Sequence, residues 1–400
     1  MRVEYMQGVE ADIEVYFNYA GKMLNGLWPY RDFGLEYPPG ALPFFLLPGF
    51  LAGDLIDYRR FYMAEMMLLD LLGLWMINRF GIQHGFSGRH LYLTQLYYVT
   101  LPALIGIIAY QRFDFVPAVI VLGMVVLLAE GRRTAAWAML GFGFAVKLFP
   151  VVLAPVLLID AWKKNVFRQD LKSGIPAALT AAAVFWLPFM AAAGLKFWVF
   201  LKYHGQRGIQ LESMYASLLL LAHRFGYPVS TEFSFGSWNI VSDISPFLAS
   251  ISPLVMIALI LAVLVHYLAV PCISRFRRPD WENYDLPWLA LLVILGFVIG
   301  GKVLSPQYLI WVMPLLVVAF RESSPFRSGI WLIFGILTIL SYFIYPVNYK
   351  NLIDLGLSST LLLTVRNSLL LACFYLILRS GRKGGSVSSE VWRGKQGYQK

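Results

Sequence analysis

From residue 39 onward the chain is a succession of apolar stretches of helix length, and this feature decides which folds are open to it. Hydropathy places spans at about 39–55, 61–78, 91–110, 115–129, 134–159, 174–193, 247–270, 286–300, 306–320, 328–346 and 356–378. Such lengths suit helices, whereas a transmembrane barrel would read as alternating segments of about ten residues. Charged residues make up 14% of the chain, against about a quarter in soluble domains. The expected fold is all-α, a polytopic transmembrane helical bundle of about eleven spans, with the lipid bilayer as its first partner.

The formal charge of +10 does not point to nucleic acid, because Lys and Arg fall in short clusters between spans instead of along one face. If the spans alternate, Arg59–Arg60, Lys163, Lys164, Arg168 and Lys172, then Arg275, Arg277 and Arg278, then Arg321 and Arg327, then Arg379, Arg382 and Lys383 share one side. The positive-inside rule makes that side cytoplasmic. Arg79, Arg89 and Arg132–Arg133 then fall on the other side, against the rule. The same alternation divides the chain into an external loop with an interfacial helix (1–38), a first bundle (39–193), a large external loop (194–246), a second bundle (247–379) and a disordered cytoplasmic tail (380–400). Active chemistry is expected on the external face of the plasma membrane. Cys272 and Cys373 read as packing residues, and neither metal-ligand spacing nor a phosphate loop or hydrolase motif is present. No metal and no cofactor is expected.

Polar residues gather in three places. The first external segment carries Asp12, Glu14, Arg31, Asp32 and Glu36 among aromatics. Asp12 and Glu14 share a face if the segment is extended. Alternatively Asp12 caps an amphipathic helix of Ile13, Phe17, Ala20, Leu24 and Leu27 resting in the interface. Glu36-Tyr37-Pro38-Pro39-Gly40 reads as extended chain leading into a helix, with Glu36 placed either for the helix dipole or for a substrate. Lys147 lies near the middle of the span 134–159 and needs a partner or a polar cavity: Asp70 of the second span, or the phosphate of a lipid ligand. Gly300–Gly301 ends one helix and Ser305–Pro306 opens the next, so Lys302 stands beside a helix N-terminus, a combination suited to phosphate. In the large external loop Met214, Leu218, Leu221 and Phe225 recur at the spacing of a helix lying on the membrane. His204, Gln206, Arg207, Gln210 and Glu212 there are either ligands for hydroxyls and phosphate or a solvated face.

Four stretches carry a family resemblance: ADIEVYFNYA with PYRDFGLEYPPG, QRFDFVPAVIVL, GFGFAVKLFPVVLAPVLL and GKVLSPQYLIWVMPLL. The pattern resembles the polyprenyl-phosphate-sugar-dependent GT-C glycosyltransferases, especially glycosyltransferase family 87 and the PIG-M type mannosyltransferases. The resemblance implies a GT-C fold, a polyprenyl-phosphate-linked hexose such as mannose as donor, and inverting transfer to a hydroxyl of a glycan, glycolipid or protein. Carried onto this chain, Asp12 is the catalytic base. The substrate-binding set is Glu14, Arg31, Asp32, Glu36, Tyr37, Lys147, His204, Gln206, Arg207, Gln210, Glu212, Lys302, Ser305 and Gln307. In the family a membrane helix precedes the acid, whereas eleven residues precede Asp12 here, too few to span a bilayer. The competing expectation is a transporter or lipid-linked sugar flippase, with Lys147 and Asp70 as an intramembrane pair.

Overall fold

The computed structural model describes residues 2–273, 285–320 and 325–380, with side chains over 12–269, 286–320 and 327–380. Arg275, Arg277, Arg278, Arg321, Arg382, Lys383 and the tail beyond Ser380 lie outside the described residues. The helices used below are α1 Arg2–Leu24, α2 Leu42–Leu51, α3 Leu55–Gln83, α4 Gly88–Ile105, α5 Phe115–Ala129, α6 Arg133–Val146 and α7 Ala154–Lys163. They continue with α8 Ile175–Ala193, α9 Val199–Gln206, α10 Met214–Arg224, α11 Ser245–Ile273, α12 Asp285–Gly300, α13 Leu309–Val318, α14 Pro325–Tyr342 and α15 Leu357–Ser380. Five segments are long and apolar enough to cross a membrane: Leu55–Gln83, Phe167–Gln206, Ser245–Ala269, Arg327–Val347 and Leu357–Ser380. Shorter apolar helices such as α5, α12 and α13 are buried almost throughout and form the centre of the bundle.

One end of this bundle is tied by polar contacts between helix termini. Arg79 near the end of α3 donates to Glu130 after α5 at 2.6 Å, and His90 at the start of α4 meets the Phe320 carbonyl at 3.0 Å. Lys163 at the end of α7 sits 3.8 Å from the Tyr267 ring centroid of α11, and Trp288 of α12 donates to the Ile377 carbonyl of α15 at 3.0 Å. This end therefore collects Arg79, Arg89, Arg132, Arg133, Lys163, Lys164, Arg168, Lys172, Arg327 and Arg379. The four arginines that broke the charge rule in a simple alternation of spans now lie at the same end as the lysines and arginines that set it.

The reason is the stretch 134–159, which is two antiparallel rods instead of one span. Arg133, the first residue of α6, pairs with Asp160 in the last turn of α7 and with Asp170 at 2.5 Å, so both rods begin and end together. The reversal falls at Lys147, whose backbone is extended (φ −155°, ψ 137°), and it continues through a 3₁₀ turn Phe149–Leu153. Pro150 lacks an amide donor and cannot continue the α6 hydrogen-bond ladder. Gly143 allows the return chain to pack closely on α6: a Cβ there would stand 3.1 Å from Pro150.

Gly141 on the opposite side of α6 touches the Ala178 backbone of α8, and a Cβ built there falls inside contact distance of the Ala178 carbonyl. Gly141→Ala is expected to cost about 1–3 kcal/mol by overpacking. Thermal unfolding of the purified protein in detergent reads this directly as a lowered Tm, and an unchanged Tm would mean the crossing is looser than described.

At the opposite end the helices stop at different heights. From the shared Arg79–Glu130 contact, α3 runs on to Leu55 while α5 stops at Phe115. At 1.5 Å per residue α3 overhangs by roughly 14 Å. Arg59 and Arg60 stand on that overhang, opposite the basic end, which corrects their expected placement with the other basic clusters. The short rods leave their polar ends (Asp114, Lys147, Lys302) level with one another and flanked by longer helices.

The first external segment is also reshaped. Asp12 and Glu14 lie inside α1, neither in extended chain nor at a cap, so they point about 200° apart around the helix. Only part of the expected interfacial stripe packs inward: Ile13 and Ala20 are fully buried, with Gly49 against Ala20 and the neighbouring Tyr16 stacked on Phe45 of α2 at 4.4 Å, while Leu24 and Leu27 are exposed. Residues 194–245 fold as a small module with α9, α10 and a three-stranded antiparallel sheet of order β1-β3-β2, the strands being β1 Ile209–Gln210, β2 Ser230–Ser234 and β3 Ser237–Val241. The sheet is an addition to a helical fold that sequence reading did not anticipate. On α10, Tyr215, Ala216, Leu219 and Leu220 face inward, while Leu218 and Phe225 of the expected membrane-facing stripe are exposed.

Candidate functional site

The polar ends of the short rods meet the outer module in two linked patches. In the first, Lys147 Nζ donates to Asp114 Oδ1 at 2.7 Å, and the Trp311 indole N–H donates to the same oxygen at 2.7 Å. Lys147 also lies over Trp311, 4.8 Å from its ring centroid, and Tyr308 stacks on Trp311 at 4.0 Å. The expected partner Asp70 is instead bound by the Tyr110 hydroxyl at 2.9 Å. The correction follows from the reversal at Lys147, which carries the ammonium to the level of Asp114 at the head of α5.

Around this pair converge residues of three other segments. Glu36 takes a hydrogen bond with the Tyr203 side chain, and its carbonyl meets His204 Nε2 at 3.1 Å. His204 is within electrostatic reach of Arg207, Lys147 and Lys302, while Tyr308 is within reach of Arg207, Asp114 and Glu36. Lys302 Nζ donates to the Gly205 carbonyl at 2.8 Å. Burial and the neighbouring Arg207 push the Lys302 ammonium below its usual pKa. Gly40 lets the turn after Glu36 come close, since a Cβ there would stand 2.7 Å from the Ala145 carbonyl of α6.

The second patch surrounds Asp12. Its carboxylate is paired with Arg112, the two side chains being 29% and 11% exposed, and Arg112 donates its other terminal nitrogen to the Tyr345 hydroxyl at 3.2 Å. Glu212, 2% exposed, accepts from Gln210 Nε2 at 3.2 Å and lies 3.5 Å from the fully buried Arg366. Gln210 joins the patches: its amide N–H donates to the Lys302 carbonyl at 3.0 Å, and its side-chain oxygen accepts from Leu304 N–H at 3.2 Å. A second link runs through α1, where Tyr16, one turn after Asp12, shares a 3.0 Å hydrogen bond with the Tyr37 hydroxyl.

The structure thus gathers Asp12, Glu36, Tyr37, Lys147, His204, Arg207, Gln210, Glu212 and Lys302. It does not gather all of the expected residues. Glu14 and Gln206 are exposed, and Arg31 and Asp32 form a surface ion pair with one another at 2.9 Å. Ser305 and Gln307 are half-buried in the turn before α13, and the Ser305 side chain makes no capping bond. Arg112, Asp114, Tyr203, Trp311 and Arg366 were not singled out as site residues. The available signal was Arg112 and Asp114 two positions apart, immediately before a fifteen-residue apolar helix.

Burial pushes the Glu212 carboxyl up to about 7, against the pull of Arg366. Because the folded protein then holds this proton more tightly than the unfolded chain, with its ordinary value of 4.5, stability is fullest below pH 4.5 and is lost as pH rises toward about 7. Thermal melts across that window are expected to show the fall, and Glu212→Gln is expected to flatten it.

Acids, aromatics and three cations gathered at one end of an apolar bundle define an integral membrane protein with a polar site where its short rods end. The chain belongs to glycosyltransferase family 87, whose family model matches residues 35–306, and it is a membrane glycosyltransferase. The match takes in Glu36 through Lys302 of the gathered site, and Ser305; Asp12, Glu14, Arg31 and Asp32 precede it and Gln307 follows it. No curated relative matches the chain.

Proposed function

We propose that the protein transfers a hexose, most simply mannose, from a polyprenyl-phosphate donor to an acceptor hydroxyl with inversion, using Asp12 as general base. The observation that carries this reading is the convergence of Lys147, Arg207 and Lys302 around His204, beside Glu36. A phosphate on the anomeric carbon is already a good leaving group, so its departure requires charge stabilisation more than protonation. Three cations in a partly dehydrated site answer that requirement. The acceptor hydroxyl loses its proton to one carboxylate as its oxygen bonds the anomeric carbon, and the phosphate leaves from the opposite face. Glu36 and His204 take sugar hydroxyls in this reading.

With the basic end read as cytoplasmic, this site faces outward at the cell membrane. Acceptors are then glycans, glycolipids or proteins on that face. The transporter reading drew on a Lys147–Asp70 pair within the membrane, and each of those residues has another partner. Membranes containing the protein are expected to move radiolabel from a polyprenyl-phosphate hexose to an endogenous acceptor. Transbilayer movement of the donor without a new glycosidic bond would sink the proposal.

A further inference from the structure

One short turn touches both halves of the proposed reaction. Arg112 grips Asp12, and two residues later Asp114 grips Lys147. Phe113, between them, is fully buried and packs on Phe45, Tyr37 and Phe44 at 5.1, 5.8 and 5.8 Å. Asp114 opens directly into α5, whose side chains are buried nearly end to end, and its Oδ1 is held from two sides by Lys147 and Trp311. The turn therefore has little freedom to move relative to the core, while each group it holds is less buried than the residue holding it: Asp12 at 29% against Arg112 at 11%, and Lys147 at 21% against Asp114 at 3%.

We infer that Arg112 and Asp114 are positioning residues, and that the turn joining them sets the separation between the carboxylate that takes the acceptor proton and the ammonium that meets the donor phosphate. This rests on the reading of Asp12 as base. Neither residue bonds the reacting atoms: the proton passes to Asp12, the new bond forms between acceptor oxygen and anomeric carbon, and the phosphate leaves with the bonding pair toward Lys147. Charge-assisted pairs are short and directional, so an arginine fork fixes a carboxylate better than a solvated lysine does. A misplacement of about 1 Å in such a constellation costs on the order of 10²-fold in rate.

The test uses the full chain purified in detergent, a polyprenyl-phosphate mannose donor, and separate measurement of kcat, donor KM and donor binding. Arg112→Gln is expected to lower kcat about 10²-fold with donor binding unchanged, and Arg112→Lys to recover part of that loss. Asp114→Asn is expected to act on the other half, weakening donor binding through Lys147. Because Arg112 works through Asp12, the double variant Asp12→Asn/Arg112→Gln is expected to be no slower than Asp12→Asn alone. The inference is overturned if the two losses multiply, or if Arg112→Gln and Asp114→Asn change the same parameter to the same extent, as simple loosening of the fold would produce. Should Arg112→Gln not fold, the split between Arg112→Lys and Asp114→Asn decides. Full activity of Asp12→Asn would instead remove the base assignment, a separate result from either of those.

Discussion

Asp12→Asn is expected to lower sugar transfer by about 10²–10⁴-fold while leaving the fold in place, the range that loss of a general base produces. The substitution keeps the shape of the side chain and one hydrogen-bond acceptor for Arg112, but removes the charge that accepts a proton. Asp12 is only partly exposed and sits on the inward side of α1, one turn from Tyr16, so its orientation is set by packing as well as by its ion pair. Donor binding measured on the same preparation should be unaffected, because the cations proposed to face the phosphate belong to other elements. Retained transfer at unchanged expression would move the base to another carboxylate. Glu36, which lies within the matched family range and is bonded to Tyr203, would be next to test.

Much of the bundle was legible in hydropathy, because burying twenty or so apolar residues per rod leaves few alternatives to helices in lipid. What hydropathy missed were reversals inside apolar windows. An averaged window over 134–159 cannot register a turn whose residues are themselves apolar, and only Lys147 followed by Pro150 marks the place. Arg133 fell on the side that breaks the charge rule because its partners Asp160 and Asp170 become neighbours only when the chain doubles back. The outer hairpin was hidden for a different reason. Its two-residue turn is Phe235–Gly236, both at positive φ (51° and 66°), and phenylalanine at the first position is not the asparagine or aspartate that announces such turns. Among site residues, Lys147 and Lys302 were readable because a cation in or beside an apolar span demands an explanation. Arg112 and Asp114 were less so, since an arginine and an aspartate two apart suggest each other as partners instead of two different distant ones.

Removing only one member of the Lys147–Asp114 pair should be far more damaging to stability than removing both. Asp114 is 3% exposed, and in Lys147→Met it would keep the Trp311 N–H but lose its counter-charge, leaving a buried carboxylate in an apolar bundle. Stripping one partner from a buried pair costs about 3–5 kcal/mol, whereas replacing both by apolar groups of similar volume is often neutral. Lys147→Met is therefore expected to melt well below the parent in detergent, and Lys147→Met/Asp114→Leu to recover most of that loss. Transfer activity should part company with stability here. The double variant is expected to be folded yet inactive, because the ammonium proposed to face the donor phosphate is gone. A folded and active double variant would make the pair purely structural, and would shift the phosphate to Arg207 and Lys302 alone.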